Sequence, residues 1–481
     1  MAAGHPLTAR AGVDVLRAGG NAVDAAVAAV LTAVVAEPLL TGLGAGGYLM
    51  VAPPGGSPVL LDFFVAAPGR SADPAAAVPL LPVDVSFGDA QQCFHVGTAS
   101  CGVPGMPAGL AAALGRFGSV KLAELTGPAA ALARAGVRVN AQQAAVFTML
   151  APILRSSPAA RAAFLTGDRP PGVGDVLVAP ELASTLDRLG AEGPEPFYTG
   201  DIAQSIVDAT GGQVTAADLA AYEAVEREPV RVHYRGREVW TNPPPSAGGI
   251  LLAYALAVLA RTDGPPGDAT LVDAMLAAQD ARTPEFFTDL PSAGFAGSFL
   301  GSRVGSTTHI SVLDEAGWAC SVTSSNGEGS GVFVPGTGIH LNNVMGEEDL
   351  SPAGLLTHAP GDRLPSMMAP TVVRRDGRAE LVVGSAGSNR IRSALLPVIV
   401  NAVDRGLAAQ EAVDAPRLHA EDGLVYAEPG IDADALEALG HVVTRFRSPN
   451  LFFGGCQAAE LSAGVLSGGG DPRRGGAVAY A

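Results

Sequence analysis

The chain has 481 residues, 48% hydrophobic and 16% charged, which argues against wholesale disorder and supplies enough apolar material for a large core. Thirty Lys and Arg against 47 Asp and Glu give a net charge of −17, which argues against nucleic acid or an anionic membrane as a partner. Cys93, Cys101, Cys320 and Cys456 form no C-x-x-C pair, so the reading is free or buried thiols and neither a disulfide framework nor a zinc site.

In chain order, Leu7 to Ala18 has helical spacing and ends at Gly19-Gly20, and Asn21 is placed to cap a second helix from Ala22 to about Val35. The longest apolar run, Ala25 to Ala36, lies between Asp24 and Glu37; at twelve residues it is too short for a bilayer, which needs about 20. With no basic, apolar leader visible at the start, the expectation is a cytoplasmic protein. A glycine-rich stretch, Thr41 to Gly47, leads into Tyr48–Ala52 and Pro58–Val65, which read as buried strands. Helices are expected at Ala108–Phe117, Lys121–Ala135, Ala141–Leu150 and Ala179–Leu189, and a strand pair at Val230–Tyr234 and Glu238–Thr241. Asn242 to Gly249 carries three consecutive prolines and should lie outside regular structure, with a helix from about Ile250 to Ala260 after it and loop at 283–306. Beyond residue 305 strands dominate: Thr308–Leu313, Ala319–Thr323 and a hairpin of Thr371–Arg374 with Glu380–Gly384 about Asp376-Gly377. Helices at Ile391–Asp404 and Gln410–Ala415 precede late strands near Leu424–Ala427, Val442–Phe446 and Ala477–Tyr480. Mixed α/β layers follow from this order.

Several simple site readings fail. His309 and Asp314 have no second ligand pair at metal spacing. Gly42 to Gly47 lacks the Lys and Ser/Thr of a phosphate loop, so tight turns or close backbone packing explain it better. Neither Ser246 nor Ser366 sits in a G-x-S-x-G elbow.

A group of segments remains: Thr307-Thr308-His309, then Thr323 to Gly331, Val334 to Asn343, Leu364 to Thr371 and Gly384 to Arg390. With Gly19 to Ala26, Glu37-Pro38, Pro243 to Gly249, Ala415 to Arg417 and Gly470 to Gly475, this ensemble resembles the γ-glutamyltransferase family of N-terminal-nucleophile hydrolases through nearly the whole chain. The resemblance implies an α/β layered fold, an αββα sandwich of the N-terminal-nucleophile hydrolase type, built as one globular unit from a helix-rich large segment, 1–306, and a small segment, 307–481. It implies self-cleavage between Ser306 and Thr307, after which the two segments stay associated. Thr307 would then supply its hydroxyl as nucleophile and its freed α-amine as base. Gly387 and Ser388 map onto the backbone N–H pair that stabilises the oxyanion. Ser325 and Thr308 correspond to hydroxyls near the nucleophile. Asn326, Glu347 and Ser366 correspond to substrate-binding groups, Glu347 reading equally well as a solvated acid of the Glu347-Glu348-Asp349 run. No metal and no cofactor is implied, and the partner is a small-molecule γ-glutamyl or other acyl amide.

The departures concern recognition. Phe64 stands where the family places an arginine that clamps the glutamyl carboxylate, and Val344, Met367 and Ser388 replace an amide, a serine and a glycine. The nucleophile machinery is untouched by these departures, so acyl transfer is expected; the resemblance gives γ-glutamyl amides such as glutathione as the donors, and the departures weigh against a γ-glutamyl preference. A less polar acyl amide, or a non-processing protein kept for binding, are the alternatives, and Arg363 or Arg390 are the candidates for the missing cation.

Overall fold

Asn21 accepts from the N–H groups of Val23 and Asp24, and Asp24 returns a bond to the Asn21 N–H, so a full capping box starts the helix Ala22–Ala36. All 15 residues of this helix are buried. Its apolar run covers every face, so it needs neighbours on every side. These are the helices Pro6–Arg17, Met106–Phe117 and Leu122–Ala135 and the strands Thr308–Leu313 and Ala319–Ser325. The computed structural model that gives this arrangement describes residues 1–72, 78–86, 91–281, 290, 308–348, 354–387, 390–421 and 423–481.

Two antiparallel sheets form the centre. The first has seven strands in the order Ala477–Val478, Ala2–Ala3, Thr308–Leu313, Ala319–Ser325, Gly46–Ala52, Val59–Phe63, Val225–Arg227. The second has six: Val465–Gly470, Gly455–Ser462, Arg378–Ala386, Thr371–Arg375, Arg237–Thr241, Val230–Tyr234. Thr308–Leu313 and Ala319–Ser325 pack on Arg378–Ala386, and Thr308–Leu313 also packs on Gly455–Ser462, which joins the sheets face to face. The helices Gly248–Leu259, Arg390–Val403 and Ala409–Asp414 cover the outer face of the second sheet, as Ala22–Ala36 covers the first. The result is the expected αββα sandwich, and both sheets take strands from either side of residue 307.

The space between the sheets is part apolar, part hydrogen-bonded. Tyr48, Phe64, Trp240, Val372 and Val382 fill one region. Elsewhere Thr323 Oγ1 lies 2.7 Å from His309 Nδ1, and His309 Nε2 lies 2.9 Å from Ser311 Oγ, which donates to Gln457 O of the other sheet. Because the Ser311 proton is used there, Ser311 accepts from His309, so the imidazole carries its proton on Nε2 and takes the Thr323 proton on Nδ1. Burial lowers the His309 pKa to about 3, which keeps the ring neutral. Gly384 makes room for it: a methyl group there would come 2.1 Å from His309 Cε1.

The expected elements recur with shifted ends. Asp376 and Gly377 turn the hairpin with φ of 50° and 76°. The helix after the prolines begins at Gly248, inside the segment expected to be irregular, because glycine lets that turn approach the chain at Met367; a Cβ on Gly248 would meet Met367 O at 1.9 Å. In the glycine stretch, Gly44 lies against His340 O and Gly47 against Thr323 O, so close packing explains those glycines. His309 and Asp314 serve no common site, since Asp314 accepts from the N–H groups of Ala22 and Trp318. The strands Ala2–Ala3, Gly455–Ser462 and Val465–Gly470 and the helix Asp268–Asp280 were not anticipated by the sequence pattern. The loop expected at 283–306 lies outside the described residues apart from Leu290. Among the described residues no helix is long and apolar enough to cross a membrane.

Candidate active site

Thr308 opens a central strand of the first sheet and pairs in register with Ser324. Its hydroxyl is buried and donates to Glu37 Oε2 at 2.9 Å, while Thr8 Oγ1 donates to Glu37 Oε1 at 3.0 Å. Glu37 is the C-terminal cap of the long buried helix. An acid there faces the negative end of the helix dipole, and no basic group forms an ion pair with it among the described residues. Burial raises its pKa to about 7, against the two hydroxyl bonds that lower it. Sequence reasoning noticed Glu37 only as part of a motif. The signal it passed over is an acid ending an apolar helix where a base would be favoured.

Ser325 ends the neighbouring strand, and its Oγ accepts from Gly327 N–H at 2.8 Å. Asn326 is fully buried. Its backbone N–H bonds to Leu40 O and its carbonyl accepts from Gly329 and Asn343, but its side-chain amide has no protein partner among the described residues. Glu347 follows the single turn Val344–Gly346 and is 8% exposed, whereas Glu348 beside it is 67% exposed. The solvated reading of Glu347 is thereby corrected: the turn folds it inward. A methyl group on Gly327 would lie 2.6 Å from Glu347 Oε1, so the carboxylate closes over that glycine. Ser366 is buried on a separate loop. Its Oγ accepts from Met368 N–H, and its carbonyl takes Ser246 Oγ and the N–H groups of Ala247 and Gly248.

Gly387 leaves the strand Arg378–Ala386 with φ of 133°, a region that L side chains rarely adopt. A methyl group there would meet Gly454 Cα at 2.6 Å and Arg474 Nη2 at 3.4 Å. Ser306, Thr307 and Ser388 lie outside the described residues.

One cleft draws these parts together. Its walls include Glu37, Leu39, Phe147, Gly327, Glu328 and Arg474. Glu37 holds Thr308, Gly327 abuts Ser325 and Glu347, and Arg474 lies against the turn at Gly387, so four of the sequence-predicted positions, Thr308, Ser325, Glu347 and Gly387, lie directly behind the walls of one opening. Ser366 is not among them.

Phe64 is only 1% exposed, stacks on Tyr48 at 5.5 Å and shares an apolar cluster with Val344. Met367 is fully buried with the second sheet. Neither expected substitute for the missing arginine is free. Arg363 bonds to Asp62, Phe64 O, Tyr222 and Glu223 O; Arg390 donates to Phe452 O and lies over that ring at 4.8 Å.

Known proteins match this arrangement. The gamma-glutamyltranspeptidase family model matches residues 8–296 and 279–481. The acylase ACY 1 proenzyme of Pseudomonas sp. (strain SE83) is 35% identical, over 96% of this chain and 90% of its own length. The glutathione hydrolase proenzyme of Escherichia coli (strain K12) is 33% identical, over 89% of this chain and 82% of its own. The crystal structure of cephalosporin acylase from Bacillus halodurans superposes with a TM-score of 0.83 at 27% identity, covering 100% of this chain and 95% of that one. With its sandwich, its cleft and this likeness along its full length, the chain belongs to the gamma-glutamyltranspeptidase family and is an enzyme of the N-terminal-nucleophile hydrolase kind.

Proposed function

We propose that this enzyme processes itself between Ser306 and Thr307 and then cleaves amides by acyl transfer through Thr307. The Thr307 hydroxyl attacks the amide carbonyl while its own α-amine takes the proton, a role suited to an amine that titrates near neutrality. The N–H groups of Gly387 and Ser388 receive the developing oxyanion, and the amine of the leaving group departs with the proton. Water or a second amine then releases the acyl group from Thr307. Thr308 and Ser325 position the nucleophile; Asn326 and Glu347 bind the acyl donor, with Glu347 pairing a donor ammonium. The donor is a γ-glutamyl amide such as glutathione.

The observation that carries this reading is the shared cleft, where the Thr308–Glu37 bond and the Gly387 turn border the same opening. The unpartnered amide of Asn326 adds a buried group with capacity for substrate. A second donor class, an amide of a less polar acid, is favoured by the apolar packing of Phe64, Val344 and Met367 and by the relatives named acylases.

Denaturing electrophoresis with N-terminal sequencing tests the first step. Two fragments, 1–306 and 307–481, are expected, with threonine starting the smaller, and Thr307→Ala should give one band and no turnover. A single band from active wild-type protein would refute the proposal. Comparing γ-glutamyl with simple apolar acyl anilides separates the two donor classes.

A further inference from the structure

Arg474 lines the cleft beside the Gly387 turn with its hydrogen-bonding capacity mostly unspent. Its Nη2 makes one long bond, 3.4 Å, to Leu451 O, and its buried Nε has no partner among the described residues. No carboxylate of the described residues lies within ion-pair distance of it. The adjacent Arg473 shows what a structural arginine looks like here: it pairs with Glu428 at 2.5 Å and with Asp471 at 3.3 Å. Arg417 likewise pairs with Asp471. Burial lowers the Arg474 pKa to about 10, with Arg390 and Arg417 pushing the same way and Asp471 and Glu328 opposing, so the side chain stays cationic at neutral pH. A partly buried guanidinium without an anion is costly unless a ligand supplies one.

We propose that Arg474 is the carboxylate clamp of the acyl-donor site, binding a free carboxylate carried on the acyl group and supplying the cation that Phe64 cannot. The inference rests on the acyl-transfer reading above. An acyl group whose carbonyl oxygen sits at the Gly387 turn has its chain beside this guanidinium, and Leu39, Leu40 and Phe147 of the same cleft can cover the methylenes. The planar fork of arginine matches a carboxylate in two parallel bonds. Glu37 and Glu328 on the same walls disfavour more highly charged anions such as phosphate. A γ-glutamyl group and the monoacyl group of a plain dicarboxylic acid share this chemistry.

The test compares kcat/KM for glutaryl p-nitroanilide with that for its methyl ester, which has the same chain without the charge. Wild-type enzyme is expected to prefer the acid. Arg474→Met should lower the acid-to-ester ratio about ten- to hundredfold, the size of a lost charge-assisted pair. Arg474→Lys should fall between, and thermal unfolding confirms that both variants are folded. A ratio near unity in wild type, or one unchanged in Arg474→Met, overturns the proposal. So does an equal loss on both donors, which would mark Arg474 as a structural or oxyanion residue. γ-Glutamyl p-nitroanilide as a third donor distinguishes the sources: faster turnover than glutaryl marks an amino-acid donor, slower turnover a plain diacid, and either preference supports the clamp if Arg474→Met weakens it. Calorimetric binding of glutarate separates failure of the clamp from failure of the reaction. Glutarate held by wild type and lost in Arg474→Met upholds the clamp even if no anilide is cleaved, whereas anilide turnover without glutarate binding removes the clamp and leaves the reaction.

Discussion

The Asp62 cluster and the cleft differ in how they treat buried charge. In the cluster, Asp62 is wholly buried and meets Arg227 at 2.6 Å, Arg363 at 3.4 Å and the Phe64 N–H at 2.9 Å, while Arg363 spends its remaining donors on Phe64 O, Tyr222 and Glu223 O. In the cleft, among the described residues, Glu37 is held by two hydroxyls with no cation, and Arg474 has one long bond and no anion. A closed network fixes a conformation and has nothing left to offer a ligand. An open one lowers stability and keeps affinity in reserve.

Asp62→Ala should cost the most, about 3–5 kcal/mol in urea unfolding, because it leaves two arginines facing a vacated site. A loss under about 1 kcal/mol would mean that the cluster is not the closed unit described here. Next comes Glu37. Its folded pKa is raised, so its contribution is fully present below the unfolded value of 4.5 and is lost as pH rises through about 7. Glu37→Gln should therefore remove about 2–3 kcal/mol of destabilisation that wild type acquires between pH 5 and pH 8. Parallel stability–pH curves for the two proteins would contradict this. Arg363→Met should cost about 1–3 kcal/mol, less than Asp62→Ala because Arg227 still holds the acid. The smallest effect is expected at Arg474→Met, within about 1 kcal/mol of wild type and on the stabilising side, since a methionine there relieves an unpaired charge. If Arg474→Met proves as damaging as Arg363→Met, the contrast between the two regions disappears.

Legibility in the sequence followed the same division. The elements with local punctuation were readable: Asn21 at a helix start, Asp376-Gly377 in a hairpin, and the apolar run that became the central helix. The strands Gly455–Ser462 and Val465–Gly470 were not, because residues such as Gly455, Ala458, Gly468 and Gly469 are small to fit between packed layers and leave no alternation to see. Ala2–Ala3 is a strand only because Ser311 and Val478 lie on either side of it. At the site, residues near the family motifs were identifiable by type. Glu37 and Arg474 fall within those motifs but no role could be read for them, since their distinction is the lack of a counter-charge, and that exists only once the neighbours are in place.

The interleaving of the sheets bears on any scission ahead of Thr308. Ala2–Ala3 is hydrogen-bonded on one side to Thr308–Leu313 and on the other to Ala477–Val478, and Met1 exchanges backbone bonds with Ala479. A nicked molecule would thus resemble a knot of two ropes more than two bodies in contact: dilution alone would not part them. Neither sheet is complete without strands from both sides of residue 307, so halves made apart would each carry open sheet edges until they met.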